Sequence, residues 1–145
     1  MPVHSLIFIN TTGNVLYAKY FQDTSVRVLF ENLLFKATSP NWYRVTATPR
    51  CVGIGQVRVV YQLMGNIIAF AGGTDDVDES TLAEVLVAVE RVLVEVIGDR
   101  VTESGLLIPD NYGKFVVSVD DMMPQGVVDT LDAVLIAKLS KLKPL

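Results

Sequence analysis

The sequence holds one cysteine, one histidine and one tryptophan, and these scarcities narrow the chemistry open to it. Cys51 has no second cysteine with which to close an internal disulfide, which fits a reducing compartment. No serine lies in a Gly-x-Ser-x-Gly elbow, and His4 and Cys51 both fall in strand-like runs, so a Ser/His/Asp or Cys/His hydrolase has little to draw on. No cluster of Lys and Arg stands out against 16 acidic and 12 basic residues. The electrostatic footprint of a nucleic-acid binder is therefore missing, and direct attraction to anionic lipid is weak. No apolar run approaches the roughly 18 residues that read as a membrane span. The opening Met1-Pro2-Val3-His4 lacks the basic region of a signal peptide, and residue 2 is not the Gly that myristoylation requires. There is no internal repeat, linker or low-complexity stretch, and 145 residues suit a single domain over 1–145.

What is abundant is apolar side chain: 50% of the residues are hydrophobic and the mean hydropathy is +0.40. A chain of this size can bury a sizeable core, and the surplus is available to cover a partner-facing surface. Val3 to Ile9 and Val15 to Phe21 are β-branched runs on either side of the turn-forming Asn10-Thr11-Thr12-Gly13-Asn14, which predicts a hairpin. Thr24 or Ser25 can cap a helix to about Ala37, with Val26, Leu29, Phe30, Leu33 and Leu34 at helical spacing. Trp42 to Pro49 reads as a loop or an irregular edge strand. Cys51 to Ile54, Val57 to Met64 and Ile67 to Ala71 predict three more strands, the last two joined at Gly65-Asn66. In Val57 to Met64, Val57, Val59, Tyr61 and Leu63 share one face, and Arg58, Val60, Gln62 and Met64 the other.

Asp75, Asp76, Asp78 and Glu79 precede a helix predicted over Ser80 to Ile97, where negative charge complements the macrodipole, and Gly98 supplies its stop. Leu82, Val85, Leu86, Val89, Leu93 and Val96 form one stripe, and Val87, Val94 and Ile97 widen it around Arg91. A helix apolar on most sides is usually buried on most sides. Its second face is covered either by the chain's own C-terminal helices or by a large partner. Phe115 to Val119 fits both a strand and a helical stripe. Thr130 to Leu142 is a helix by spacing, with Lys138, Lys141 and Lys143 near its end. The expected architecture is α/β (α+β): a five-stranded antiparallel sheet flanked by helices, in the order ββαβββααα.

That order is the longin order, and several stretches resemble one branch of the longin superfamily. Phe8 to Phe21 is similar to the opening hairpin of coatomer zeta and clathrin-adaptor sigma chains. Phe30-Glu31-Asn32-Leu33-Leu34-Phe35-Lys36 resembles the first zeta helix. Val117 to Thr130, with Asp120-Asp121-Met122 and Gly126, is similar to the family's Val-Asp-Glu-Met…Gly…Glu-Thr stretch. The resemblance runs from about residue 3 to 140. It matches neither zeta nor sigma closely, which draws attention to the small subunit of the TSET or plant TPLATE endocytic complex. Family chains are helical where this one reads Tyr112 to Met122, so the resemblance implies helix there. It also implies a non-catalytic small subunit that binds a larger adaptor or coat subunit, without cofactor or metal, in the cytoplasm and peripheral to membranes. Sigma chains carry an Arg in the second strand that helps bind acidic dileucine signals; the matching position is Leu16, which leaves the glutamate of such a signal unpaired. A tethering-complex or GTPase-regulator subunit of the same fold is the alternative.

Individual residues admit a functional and a plain reading. Ala71-Gly72-Gly73-Thr74 precedes a helix, but lacks the Gly-Lys-Ser/Thr of a phosphate loop, and the acids that follow would repel a phosphate. Those acids lack the calcium-loop register. Asp120 and Asp121 are adjacent and do not face one another on a helix, which favours a helix-end role over paired acid–base catalysis. Trp42 and Tyr43 serve either as an aromatic anchor for a partner or as a lid on the core. With Val87, Arg91 and Val94 they are the candidate partner-binding residues; catalytic, cofactor and metal residues are not expected.

Overall fold

The structure, a computed structural model, describes residues 3–22, 27–44, 49–74 and 77–123, without the side chains of 41, 43 and 44. Thr24, Ser25, Asp75, Asp76 and the C-terminal helix expected over Thr130 to Leu142 lie outside the described residues.

Five strands form one antiparallel sheet: β1 (Val3–Asn10), β2 (Val15–Tyr20), β3 (Arg50–Ile54), β4 (Val57–Met64) and β5 (Ile67–Gly73), in the order β2-β1-β5-β4-β3. Each hairpin turns where the sequence has glycine or asparagine. The β1–β5 pairing joins the two hairpin units through the centre. Both strands are buried along almost their whole length, as expected of a sheet covered on both faces.

Alternation along the strands sorts their side chains into two cores. Leu6, Phe8, Val60, Met64, Ile67 and Ala69 face α2 (Glu79–Ile97) and α4 (Pro109–Met122). Ile7, Ile9, Val59, Tyr61, Ile68 and Phe70 face α1 (Arg27–Thr38). The two faces expected for β4 are the observed ones. Among the described residues the cover is unequal: α2 has 19 residues and α4 has 14, whereas α1 has 12.

Local chemistry explains the helix boundaries. The Asp78 carboxylate caps α2 by accepting from the Thr81 amide at 2.8 Å, and Gly98 ends it at φ +120°. Pro109 opens α4, where a missing N–H costs nothing. Residues 112–122 are helical, so the family resemblance settled what their β-branched composition left open. A short α3 (Glu103–Leu106), capped by Thr102, was not anticipated. Ser39–Arg44 forms a 3-10 turn continuing α1, so the start of the Trp42 to Pro49 stretch, read as a loop or an irregular edge strand, is a helical turn.

The far end of the sheet is tied to α3 by two asparagines. Asn66 Oδ1 accepts from the Glu103 amide at 2.7 Å, and Asn10 Nδ2 donates to the Glu103 carboxylate at 3.0 Å. Gly65, beside Asn66, has φ +63°, and a Cβ there would stand 1.8 Å from the Val101 carbonyl oxygen. Gly55 has nearly the same backbone, φ +61°, but faces open space. The two glycines therefore separate backbone strain from steric overlap. Gly55→Ala is expected to cost about 1 kcal/mol, and Gly65→Ala at least about 2–3 kcal/mol. Urea denaturation of the two variants measures the difference; equal losses would show that Val101 simply moves aside.

Candidate functional site

The residues that could have carried catalysis are dispersed and occupied. His4 is buried in β1, which lies inside the sheet rather than at its edge. The β1–β5 register shifts between Val3 and Ser5. Strict alternation back from Leu6 would send His4 towards α2; the bulge instead re-aims it against Phe30 of α1, with ring centroids 5.1 Å apart, and against Tyr20 at 6.0 Å. Its Nδ1 pairs with Ser5 Oγ at 3.0 Å. Cys51 is exposed on the edge strand β3, and partial burial and the nearby Glu79 push its thiol pKa up, away from a reactive thiolate. Among the described residues no three His, Cys, Asp or Glu are grouped to hold a metal.

The Gly72-Gly73 pair is explained by packing rather than by a phosphate. Both residues belong to β5. A Cβ on Gly72 would meet Ser5 Oγ at 2.8 Å, and one on Gly73 would meet Val77 Cβ at 2.8 Å. Asp120 lies in the last turn of α4 and pairs with Lys19 of β2, while Asp121 points elsewhere on the helix, half-buried and engaged. Leu16, at the position of the sigma-chain Arg, packs against the larger core, and its carbonyl accepts from Tyr112 Oη at 3.2 Å.

The candidate partner-binding residues have different surroundings. Trp42 is half-buried; its indole N–H donates to Thr38 Oγ1 at 3.0 Å and its ring meets Phe35 edge-on at 6.1 Å. It also sits over the first hairpin, since a Cβ on Gly13 would touch its ring at 3.1 Å. Tyr43 belongs to the same 3-10 turn; its side chain lies outside the described residues. On α2, Val94 and Ile97 pack against the chain's own core. Val87 is 43% exposed, and Arg91 is exposed beside it. Glu84 and Glu90 flank them, so this surface is of mixed charge.

Among the described residues, three of the seven exposed large hydrophobics lie on α1, and they were not singled out from the sequence as a partner-binding surface. Val28 is 74% exposed, Leu29 55% and Leu33 48%. Phe30 and Leu34, on the other side of the helix, are buried in the smaller core. The available signal was the breadth of apolar positions in 28–35, which exceeds what one buried face of a short helix can use. Leu29 and Leu33 form one wall of a groove; Ile54, Gly55 and Val57 of the β3–β4 hairpin form the other, with His4 and Phe30 in its floor. The groove continues past Leu33 to Lys36 and Gly53.

A sheet of this order, with helices on both faces, defines a longin-like fold class. The comparisons agree with that class. The chain is 23% identical over 145 residues to a TSET complex member, tstD, of Dictyostelium discoideum, covering 97% of this chain and 93% of the relative. It superposes with TM-score 0.64 on a chain of a homology model of the full-length AP-3 complex in a stretched open conformation, at 12% identity, covering 96% of this chain and 91% of that one. No family model matches the sequence. The chain is thus similar over nearly its whole length to a TSET complex member, and it shares its fold with a chain of an AP-3 complex.

His4 supplies a test of the bulge. Burial lowers its pKa from the ordinary 6.5, so as pH falls the unfolded chain takes up the proton first. Stability is then complete above the unfolded pKa and declines as pH drops through 6.5 toward the lower folded value. His4→Phe, which keeps the ring, is expected to flatten the stability profile between about pH 7.5 and 5.5. An unchanged slope in that variant, followed by chemical denaturation, would assign the titration to other groups.

Proposed function

We propose that this chain is a non-catalytic small subunit of a membrane-trafficking coat or adaptor complex, which binds and stabilises a larger subunit during vesicle-mediated transport or endocytosis. The observation that carries the reading is the open apolar face of α1: three large aliphatic side chains, 74%, 55% and 48% exposed, on the side of the sheet with the smaller helical cover. Leaving such side chains in water forgoes roughly 1.5–3 kcal/mol for each one that a partner could bury. Contiguous exposed apolar surface of this kind marks protein–protein contact. The relative named as a TSET complex member, and the matching chain in an AP-3 assembly, support a place in a multi-subunit complex.

The polar chemistry supports a structural role. Buried polar groups such as Ser118 and Thr38 bond back to their own helices, and the paired charges hold elements together. Among the described residues no helix is long and apolar enough to cross a membrane. Membrane association then comes through the complex, from the cytoplasmic side. Leu16 in place of the sigma-chain Arg argues against reading acidic dileucine signals. Val87, Arg91 and Val94 on α2 are a second and more polar contact area for the same assembly, while Trp42 and Tyr43, in the 3-10 turn that continues α1, belong with the α1 face.

Affinity purification of the tagged chain from its own cells tests this. A larger chain should co-elute with it in fixed stoichiometry through gel filtration. Recovery of the chain alone, or with a GTPase in a nucleotide-dependent manner and no larger chain, would overturn the reading. Expressed without a partner, the chain should be poorly soluble, and the double variant Leu29→Lys, Leu33→Lys should raise its soluble yield.

A further inference from the structure

The sheet ends in β2 on one side and β3 on the other, and the two edges are treated differently. α4 closes the β2 edge: Tyr112 Oη donates to the Leu16 carbonyl at 3.2 Å, and Asp120 pairs with Lys19. Among the described residues the backbone of β3 bonds only to β4. β3 also carries neither the bulge nor the internal proline that commonly blunts an exposed edge. Arg50–Ile54 runs in unbroken register with β4, whereas both pairings of β1 contain a shift.

The turn fixes which backbone groups face outward. Gly55 and Gln56 form a two-residue turn closed by Ile54 and Val57, so Ile54, Val52 and Arg50 exchange their hydrogen bonds with β4. The N–H and C=O groups of Cys51 and Gly53 therefore point away from the sheet. Nothing in this chain requires glycine at position 53. A Cβ there would meet no atom within 4 Å, and its φ is not positive. Glycine inside a strand often marks the close approach of another backbone.

The side chains of the edge divide by face. Val52 and Ile54 are half-buried on the α1 side, opposite Val59 and Val57, and alternation puts Arg50 in the same row. Lys36 of α1 lines the hollow beside Gly53 and Ile54. That row therefore reads cation, apolar, apolar, cation, and neither cation forms an ion pair among the described residues. On the other face Arg58, across from Gly53, is paired with Glu79 at 3.8 Å. A second copy of this chain fits poorly. Two β3 strands paired about a two-fold axis would gather Arg50 and Lys36 of both copies into one row.

We propose that the open edge of β3 accepts an extended segment of another protein as an added antiparallel strand, with apolar residues opposite Val52 and Ile54 and a carboxylate at each end. The added strand would bond to the outward groups of Cys51 and Gly53, as in other strand-addition contacts. Its terminal carboxylates would meet Arg50 and Lys36. This goes beyond the holding of a larger subunit, since the ligand is recognised by its backbone and by its alternating pattern.

Synthetic peptides of about seven residues test this against the full chain: Glu-Thr-Val-Thr-Val-Thr-Glu, and its counterpart with Lys at both ends. In fluorescence anisotropy titrations the Glu peptide should bind more tightly, by about threefold to fivefold at low salt for each exposed ion pair. N-methylation identifies strand addition. On the second or third threonine, whose amides would face β3, it should weaken binding by at least about tenfold; on either valine, by less than about twofold. Gly53→Pro removes an outward N–H without touching the β4 ladder and should cause a loss similar to threonine methylation; circular dichroism confirms that the variant is folded. The double variant Arg50→Glu, Lys36→Glu should reverse the order of the two peptides. The proposal is overturned if neither peptide binds, if valine methylation is as damaging as threonine methylation, or if the double variant keeps the order. A concentration-dependent dimer that Gly53→Pro abolishes would give the edge to a second copy and overturn it likewise. None of these outcomes depends on a larger subunit.

Discussion

A sheet that is apolar on both faces governs this molecule. β1 and β5 lie at its centre and place large aliphatic and aromatic side chains on either side, so neither face can be left to water. On one face the demand is met by α2 and α4, with Leu82, Leu86, Val89, Phe115 and Val119 fully buried against the strands. On the other, α1 is long enough to bury Phe30 and Leu34 over Ile7, Ile9, Ile68 and Phe70, but does not reach across Ile54 and Val57. Among the described residues, the unequal cover is a geometric consequence of one short helix over a five-stranded sheet. It leaves an apolar surface in a position defined by the fold.

Several smaller features keep that arrangement in register. The β1 bulge gives up one ladder position and turns His4 into the α1 core, where its ring packs with Phe30 and Tyr20. Because Tyr20 also bonds Glu31 and carries Arg27 over its ring, the orientation of α1 is linked to both strands of the first hairpin. At the opposite end Asn10 and Asn66 bring both hairpins to Glu103. α1 and α3 are thus fixed by polar contacts to strand ends, while α2 is held chiefly by packing. Since α1 is anchored through the side away from the groove, Val28, Leu29 and Leu33 are presented on a fixed support.

The fold was legible because its signals are local. Periods of two and near four, the turn residues at Asn10–Asn14 and Gly65-Asn66, and the acids before α2 each depend on neighbours in sequence. Where local signals conflicted, as over Phe115 to Val119, periodicity could not decide and the family resemblance did. The site was far less legible. Val87, Arg91 and Val94 were noticed because α2 is apolar on two sides, yet Val94 and Ile97 pack on the chain's own core, a fact that depends on how α3 and α4 return. Val28, Leu29 and Leu33 passed as ordinary helix positions, since burial of one side of α1 and exposure of the other follow from the rotation of the helix on the sheet.

The sequence by itself determined the order and type of most elements, the two-sided character of the sheet and the poverty of catalytic chemistry, because these follow from residue types at short spacing. Only the tertiary structure decided which apolar residues remain uncovered. That is a matter of area and reach: how far a 12-residue helix extends over five strands, which way a bulge turns His4, and which charges are already taken by Tyr20 and Lys19. Such outcomes arise from contacts between residues far apart in the chain, and no local pattern encodes them.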